Sequence, residues 1–121
     1  MRLFTSEDSF HNKLNLVDEN DVFVGYDYSQ DCCEAFGYRW ETSCRTHLQE
    51  PDLNGAVFTK RHKELKSTDD FYDDCECEYG FEIKLNNGDL IWFVIYNYHN
   101  GYYGHGFDFT DKKEKITSGV L

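Results

Sequence analysis

Residues 74–96 contain the pattern that most restricts the fold of this chain. From Asp74 to Leu85, apolar and acidic side chains alternate, the period of two expected for a strand with one face in the core. The Asn-Asn-Gly-Asp sequence at residues 86–89 tolerates the positive φ angles of a tight hairpin turn. Residues 90–96 are apolar on both faces, so this strand is predicted to be buried and central in its sheet.

Weaker patterns complete the predicted fold, which is α+β or mainly β. Residues 102–109 are predicted to extend the hairpin into a C-terminal three-stranded antiparallel meander over residues 75–109. Residues 14–16 and 22–26 are predicted to pair across a turn at 18–21. The remaining expected elements are one short helix at Asp31–Tyr38 closed by Gly37, strands at Arg39–Leu48 and Ala56–Leu65, and a loop over Lys66–Tyr72.

The size of the chain predicts a single domain over residues 1–121. With 40% hydrophobic and 17% aromatic residues, 121 residues can bury enough apolar surface to offset chain entropy. The polar segment 111–121 is expected to be a frayed tail. No apolar secretory segment follows Met1, and no window approaches the roughly 18 apolar residues of a membrane span. Five cysteines, an odd number, indicate reduced thiols, so a cytoplasmic location is expected.

The charge balance restricts the class of partner. Asp and Glu number 23 against 12 Lys and Arg, a formal net charge of −11. This charge repels phosphate backbones, so direct binding to nucleic acid is not expected, and no membrane contact is predicted. A basic partner is favoured instead, including a protein that itself binds nucleic acid. The alternative is that the acidity serves solubility alone.

Acidic residues are densest between residues 69 and 78, where no base interrupts them. On a strand, alternate side chains repeat every 6.5–7 Å or so, broadly the spacing of successive phosphates, so the row would mimic DNA toward a basic groove, provided that the sheet leaves it exposed. The alternative is a solvated strand face. Replacement of Glu76 and Glu78 by Lys is expected to leave the fold intact, because both side chains should point away from the core. The predicted partner-binding residues are Asp69, Asp70, Asp73, Asp74, Glu76 and Glu78, with Tyr98, Tyr102 and Tyr103 as aromatic anchors.

Neither a metal site nor a catalytic site is predicted. Structural zinc sites favour C-x₂₋₄-C spacing, whereas Cys32 and Cys33 are adjacent and Cys75 and Cys77 form C-x-C. Cys75 and Cys77 also fall on the apolar face of their strand, where thiols act as small hydrophobes. Ligand-like spacing occurs at Cys44 and His47, so a zinc-stabilised binding module remains an alternative. No nucleophile, phosphate-loop, zinc-protease or dinucleotide motif occurs, so the chain is not expected to be an enzyme or to hold a cofactor.

Two motifs resemble those of a small family of uncharacterised phage and bacterial proteins. A Tyr-rich strand leads into D-C-C-E at residues 31–34, and N-G-Y-Y follows at residues 100–103. An aromatic strand and a Gly-containing hairpin lie between them, and the likeness covers about residues 22–109. This chain departs from it at residues 90–93, which lack a shorter polar pattern. The resemblance brings no established activity. It implies a phage or mobile-element setting and packing of Cys32 or Cys33 against Tyr102 or Tyr103.

Two functions are expected from these observations. The leading one is a phage-encoded inhibitor of a nucleic-acid-handling host defence protein, of the anti-CRISPR or anti-restriction type, acting through its acidic surface in the host cytosol. The alternative is a sponge for a small ligand or nucleotide. The residues expected to form its pocket are Asp31, Cys32, Cys33, Glu34 and Asn100, together with Tyr103.

Overall fold

The chain folds into antiparallel β-sheets in a computed structural model that describes residues 1–8, 11–28, 35–68, 75–99, 105–112 and 114–121. These ranges contain ten strands and no helix with the length and apolar character that a membrane crossing requires. In chain order the strands are β1 (Arg2–Asp8), β2 (His11–Val17), β3 (Val22–Asp27), β4 (Ala35–Thr42), β5 (His47–Leu48), β6 (Val57–Thr68), β7 (Cys75–Lys84), β8 (Leu90–His99), β9 (Gly106–Asp111) and β10 (Glu114–Val120).

The strands form two five-stranded sheets that pack face to face. The first sheet has the order β1-β2-β3-β9-β10, and the second has the order β5-β4-β8-β7-β6. Aromatic rings interlock between them: the Phe109 centroid lies 5.2 Å from that of Phe58 and 4.9 Å from that of Phe81, and Tyr79 lies 4.7 Å from Phe107. The domain is therefore a two-layer sandwich with an aromatic core, which confirms the mainly β class.

The hairpin of β7 and β8 confirms the strongest sequence pattern. Residues 75–84 pair with residues 90–99 in an unbroken antiparallel register. Phe81 and Ile83 are fully buried on the core face of β7. β8 lies between β4 and β7, and Ile91–Ile95 are buried on both faces, as predicted for a central strand.

The predicted three-stranded meander is wrong in its third strand. β9 pairs with β3 and β10 in the first sheet, and not with β8. Phe107 and Phe109 point from β9 across the sandwich to Tyr79 and Phe81 of β7. Those contacts require β9 to lie in the opposite sheet, so burial of aromatic surface overrides the pairing of neighbours in sequence.

The predicted helix is also wrong over its described part, since residues 35–38 begin strand β4. Tyr38 and Trp40 face the core in alternation with Arg39 and Glu41, so the period is two and not 3.6. Gly37 does not close a helix. It lies inside the strand where a Cβ atom would stand 2.8 Å from the Tyr96 hydroxyl, so any other residue would require that ring to shift.

Other weak predictions are settled by pairing. The hairpin across residues 18–21 is confirmed, because β2 pairs with β3. Residues 66–68, predicted as loop, continue β6. The expected frayed tail contains β10, which pairs with β9, and the backbone N–H and C=O of Leu121 bond to His105 at 2.8 and 3.0 Å.

A buried carboxylate joins the two sheets at the β2–β3 turn. Asp18 is only 4% exposed. Its Oδ1 accepts the N–H groups of Asn20 and Val22 at 2.9 and 3.0 Å, and its Oδ2 accepts the N–H of Phe58 at 2.9 Å. The side chain thus fixes the turn of the first sheet and the start of β6 in the second.

Candidate functional site

The strand ends that flank most of the predicted site residues meet at one end of the sandwich. In the second sheet, Ala35 pairs with Tyr98 and Cys75 pairs with His99. The first sheet ends beside them, because the Tyr28 and His105 rings lie 4.8 and 4.5 Å from the ring of Phe36. The chain therefore enters segments 29–34, 69–74 and 100–104 from neighbouring strand ends.

Most predicted site residues fall in these segments and lie outside the described residues. They are Asp31, Cys32, Cys33, Glu34, Asp69, Asp70, Asp73, Asp74, Asn100, Tyr102 and Tyr103. The predicted packing of the two motifs against each other and the predicted ligand pocket lie there too. The structure does describe Glu76, Glu78 and Tyr98, all on the outer face of the second sheet, the face turned away from the first sheet.

Two of these residues, Glu78 and Tyr98, belong to an ion-pair network on this face. The network consists of Arg39, Glu41, Arg45, Glu78 and Tyr98. Its two carboxylates are 4% and 5% exposed. Glu41 accepts from Arg39 Nε at 2.9 Å and lies 2.8 Å from Arg45 Nε. Glu78 accepts from Arg45 at 3.2 Å, from the Tyr98 hydroxyl at 2.7 Å, and from Arg39.

Strand register explains how the network assembles. Arg39 and Glu41 lie two residues apart on β4, so both point to the outer face. Glu78 on β7 and Tyr98 on β8 share that face across the two neighbouring strands. Arg45 enters from the turn after β4, where its φ of 65° places it in the left-handed region and its N–H bonds to the Thr42 carbonyl at 2.9 Å.

Glu78 points away from the core, as predicted, but it is buried on the outer face and does not meet the condition of exposure on which the acidic row depends. Long cationic side chains cover this face: the Arg39 guanidinium lies 5.7 Å from the Tyr96 ring, and the Lys63 amine lies 4.4 Å from the Trp92 ring. Replacement of Glu78 by Lys would therefore place a third cation beside Arg39 and Arg45. Glu76 differs, because its side chain is 41% exposed and pairs with Lys66 at the rim.

The network shifts the pKa values of Glu78 and Arg39 in the directions that keep both charged. Burial raises the pKa of the Glu78 carboxyl, but the Tyr98 and Arg39 hydrogen bonds and the arginine charges outweigh it, so that pKa falls below its ordinary value. Burial lowers the pKa of Arg39, yet its bonds to Glu78 and Glu41 raise it overall. Glu78 therefore stays ionised and Arg39 protonated near neutral pH. The arrangement is a structural clamp that joins β4, β7, β8 and the turn after β4.

We expect the Tyr98 hydroxyl to titrate far above an ordinary tyrosine. Burial, the hydrogen bond to Glu78 and the charge of Glu78 raise its pKa to about 12. The measurement is an ultraviolet phenolate titration of the wild type minus that of Tyr98→Phe. Replacement of Glu78 by Gln should move the Tyr98 component back toward 10. A wild-type component near 10, while circular dichroism still reports native strands, would contradict the described hydrogen bond.

The described cysteines and histidines do not assemble a metal site. Within the ranges that the structure covers, no group of three His, Cys, Asp or Glu residues could hold a metal ion. Cys44 and His47, which have ligand-like spacing, are both exposed beside the turn after β4. Cys77 is half-buried on the core side of β7 and packs against the core.

Sequence reasoning missed the other network residues. The signal that would have found Arg39 and Glu41 is their alternation with Tyr38 and Trp40, which marks a strand with charge on one face, whereas Arg45 in the following turn has no such signal.

Comparison with known proteins places the chain in a family. Residues 4–109 match the family described as a domain of unknown function, DUF7448. Searches of curated proteins and of solved structures gave no significant match. The expectation of an uncharacterised family with no established activity is confirmed, and the match includes the whole stretch 22–109 on which the resemblance was based. Since the match covers most of its length, the chain belongs to the DUF7448 family of domains of unknown function.

Proposed function

We propose that this chain is an interaction protein that uses acidic residues at one end of the sandwich to bind a basic surface of a nucleic-acid-handling protein in the cytosol. The observation that carries the proposal is the convergence of strand ends described above. The acid-rich segment 69–74 joins β6 to β7, and segment 29–34, which carries Asp31 and Glu34, enters β4 two strands away. The strand ends that flank both segments in the second sheet lie at the same end of that sheet.

The described ion pairs support this location for the excess negative charge. Several basic residues on the strands are matched to carboxylates, through the network and through the pairs Lys60–Asp111, Arg61–Glu82, Lys66–Glu76 and Lys115–Asp108. Segment 69–74 has four acids and no base. Its charge is therefore not offset by neighbours in sequence, and a partner with a basic groove would supply the matching sign.

The partner class follows from this chemistry together with the resemblance to phage proteins. A groove built to hold phosphate is lined by Arg and Lys, and acidic side chains would fit it in place of nucleic acid. In a phage setting the proteins with such grooves include host nucleases of CRISPR and restriction systems. We therefore propose inhibition of a host defence nuclease by competition for its nucleic-acid site.

The test compares two variants of equal net charge. The first replaces Asp69, Asp70, Asp73 and Asp74 by Asn. The matched control removes four exposed acids from other loops, through Glu19→Gln, Glu50→Gln, Asp52→Asn and Asp89→Asn. Partners are captured from host lysate with the wild type and identified by mass spectrometry, and association rates with the purified partner are then measured at low salt.

We expect the first variant to slow association about tenfold or more and the control to change it little, because local field and not net charge steers the encounter. Duplex DNA should displace the wild type from its partner. Equal losses in both variants would reduce the effect to net charge, and an unchanged rate in the first variant would remove this end from the interface.

A further inference from the structure

The two sheets present four edge strands, and three of them carry features that block pairing with another chain. β5 is two residues long. β6 has two register shifts, a left-handed residue at Lys60 with φ of 72°, and exposed Lys63 and Lys66. β10 has a register shift between Lys115 and Thr117. Bulges, short length and lysines are the usual protection of exposed sheet edges.

β1 has none of these features. Its seven residues pair one to one with β2 without a shift, and they include neither proline nor lysine. In the described part of the chain, β1 is paired on one side only. Its other side is a regular row of backbone donors and acceptors, which is a template for strand addition.

We propose that β1 pairs with β1 of a second copy of this chain, antiparallel and centred on Thr5. In this register Arg2 lies opposite Asp8 of the other copy, and Phe4 lies opposite Ser6. The sequence of the strand is therefore complementary in charge at its ends, since position 2, an Arg, falls opposite position 8, an Asp, at each end of the new ladder. Opposite charges directly across an antiparallel pair stabilise it, whereas a shift by two residues removes both pairs.

The faces of the strand fit the same arrangement. Leu3 pairs with the buried Leu16, so among residues 2–6 the odd-numbered positions face the core side and the even-numbered positions face outward. A twofold pairing about Thr5 brings even positions opposite even ones and keeps both core faces on one side. The exposed Arg2 lies 4.7 Å from the Phe4 ring on the outer face, where the two Phe4 side chains become diagonal neighbours. The first sheets of the two copies thus join into one ten-stranded sheet, and the interface is isologous.

The association should be weak, because seven residues a side is small for a stable interface. We expect a dissociation constant above about 1 µM. Sedimentation equilibrium between about 1 µM and 1 mM should show the mass rising from 14.3 kDa toward twice that value.

Two sets of variants test the register. Thr5→Lys places two like charges at the twofold centre and should leave a monomer, while Ser118→Lys, the same change at an exposed site on the opposite edge of the sheet, should dimerise like the wild type. Arg2→Asp and Asp8→Arg should each weaken the dimer about tenfold, and the double swap should restore it. Thermal unfolding checks that each variant is folded.

A single 14.3 kDa species at every wild-type concentration would overturn the proposal. Dimerisation of Thr5→Lys equal to that of Ser118→Lys would also overturn it, since the contact would then lie elsewhere. Failure of the double swap to restore a dimer that both single changes weaken would reject this register. None of these outcomes depends on the partner proposed above.

Discussion

Replacement of Asp18 by Ala is expected to lower the free energy of unfolding by about 3–5 kcal/mol, the largest loss we expect from any single polar substitution in this chain. The carboxylate is 4% exposed and accepts three backbone N–H groups, from Asn20, Val22 and Phe58. Hydrogen bonds to a charged acceptor contribute more than neutral ones, and Ala leaves buried donors without a partner. The loss is measured by chemical denaturation with the slope checked for two-state behaviour.

Two further substitutions sharpen that test. Asp18→Asn keeps the volume but directs an NH₂ group at one set of donors, so an intermediate loss is expected. Asp52→Ala is the matched control, because exposed Asp52 accepts one N–H, that of Asn54 at 3.0 Å, in a similar local turn. Its loss should stay below about 1 kcal/mol, since water replaces the bond. Equal losses for Asp18→Ala and Asp52→Ala would show that the link to β6 contributes nothing.

Replacement of Glu78 by Ala is expected to destabilise the fold by about 2–4 kcal/mol, because it leaves Arg39 and Tyr98 without their shared acceptor. The figure lies below that of a fully buried pair, since the Arg39 and Arg45 side chains are 20% and 43% exposed and water can screen them. Glu76→Ala is the matched control. It lies two residues away on the same face, half-exposed, and should cost less than about 1 kcal/mol.

The loss should depend on pH in one direction. The pKa of Glu78 is lower in the folded protein than its ordinary value of 4.5, so its stabilising contribution is present above that value and disappears as pH falls through the folded pKa. The difference in unfolding free energy between wild type and Glu78→Gln should therefore be constant near neutral pH and shrink below pH 4.5. A difference that grows on acidification would contradict the hydrogen bonds that stabilise the carboxylate.

Glu76 and Glu78 show how far the sequence predicts the outer face. Both follow the same alternation, and the pattern correctly places both on the face of the sheet that points away from the core. What separates them is the partner: Glu78 meets two arginines from β4 and its following turn, whereas Glu76 meets a lysine at the rim. The arginines come more than thirty residues earlier in the chain, so no local period could indicate that they meet Glu78.

The same distinction between local and distant information explains the fold predictions. The β7–β8 hairpin follows from a period of two and a four-residue turn, both readable within residues 74–96. The sheet to which β9 belongs depends on Phe107 and Phe109 meeting Tyr79 and Phe81 across the core. In the candidate site, the acidic run and the two motifs were found as sequences, while the meeting of their flanking strands required the sheet order.

The first sheet is built from strands that lie far apart in the chain, and this affects how the chain folds. Its strands come from both ends of the chain: Val22 of β3 pairs with Asp111 of β9, while the second sheet is built from the middle. Distant pairings form slowly because the intervening chain must be closed into a loop first. During synthesis, β1, β2 and β3 can pair with one another early, but β3 must wait for β9 to be made before its other side is paired, whereas each neighbour pairing of the β6–β7–β8 meander needs only nearby segments. The β3–β9 pairing is then the closing step of the sandwich.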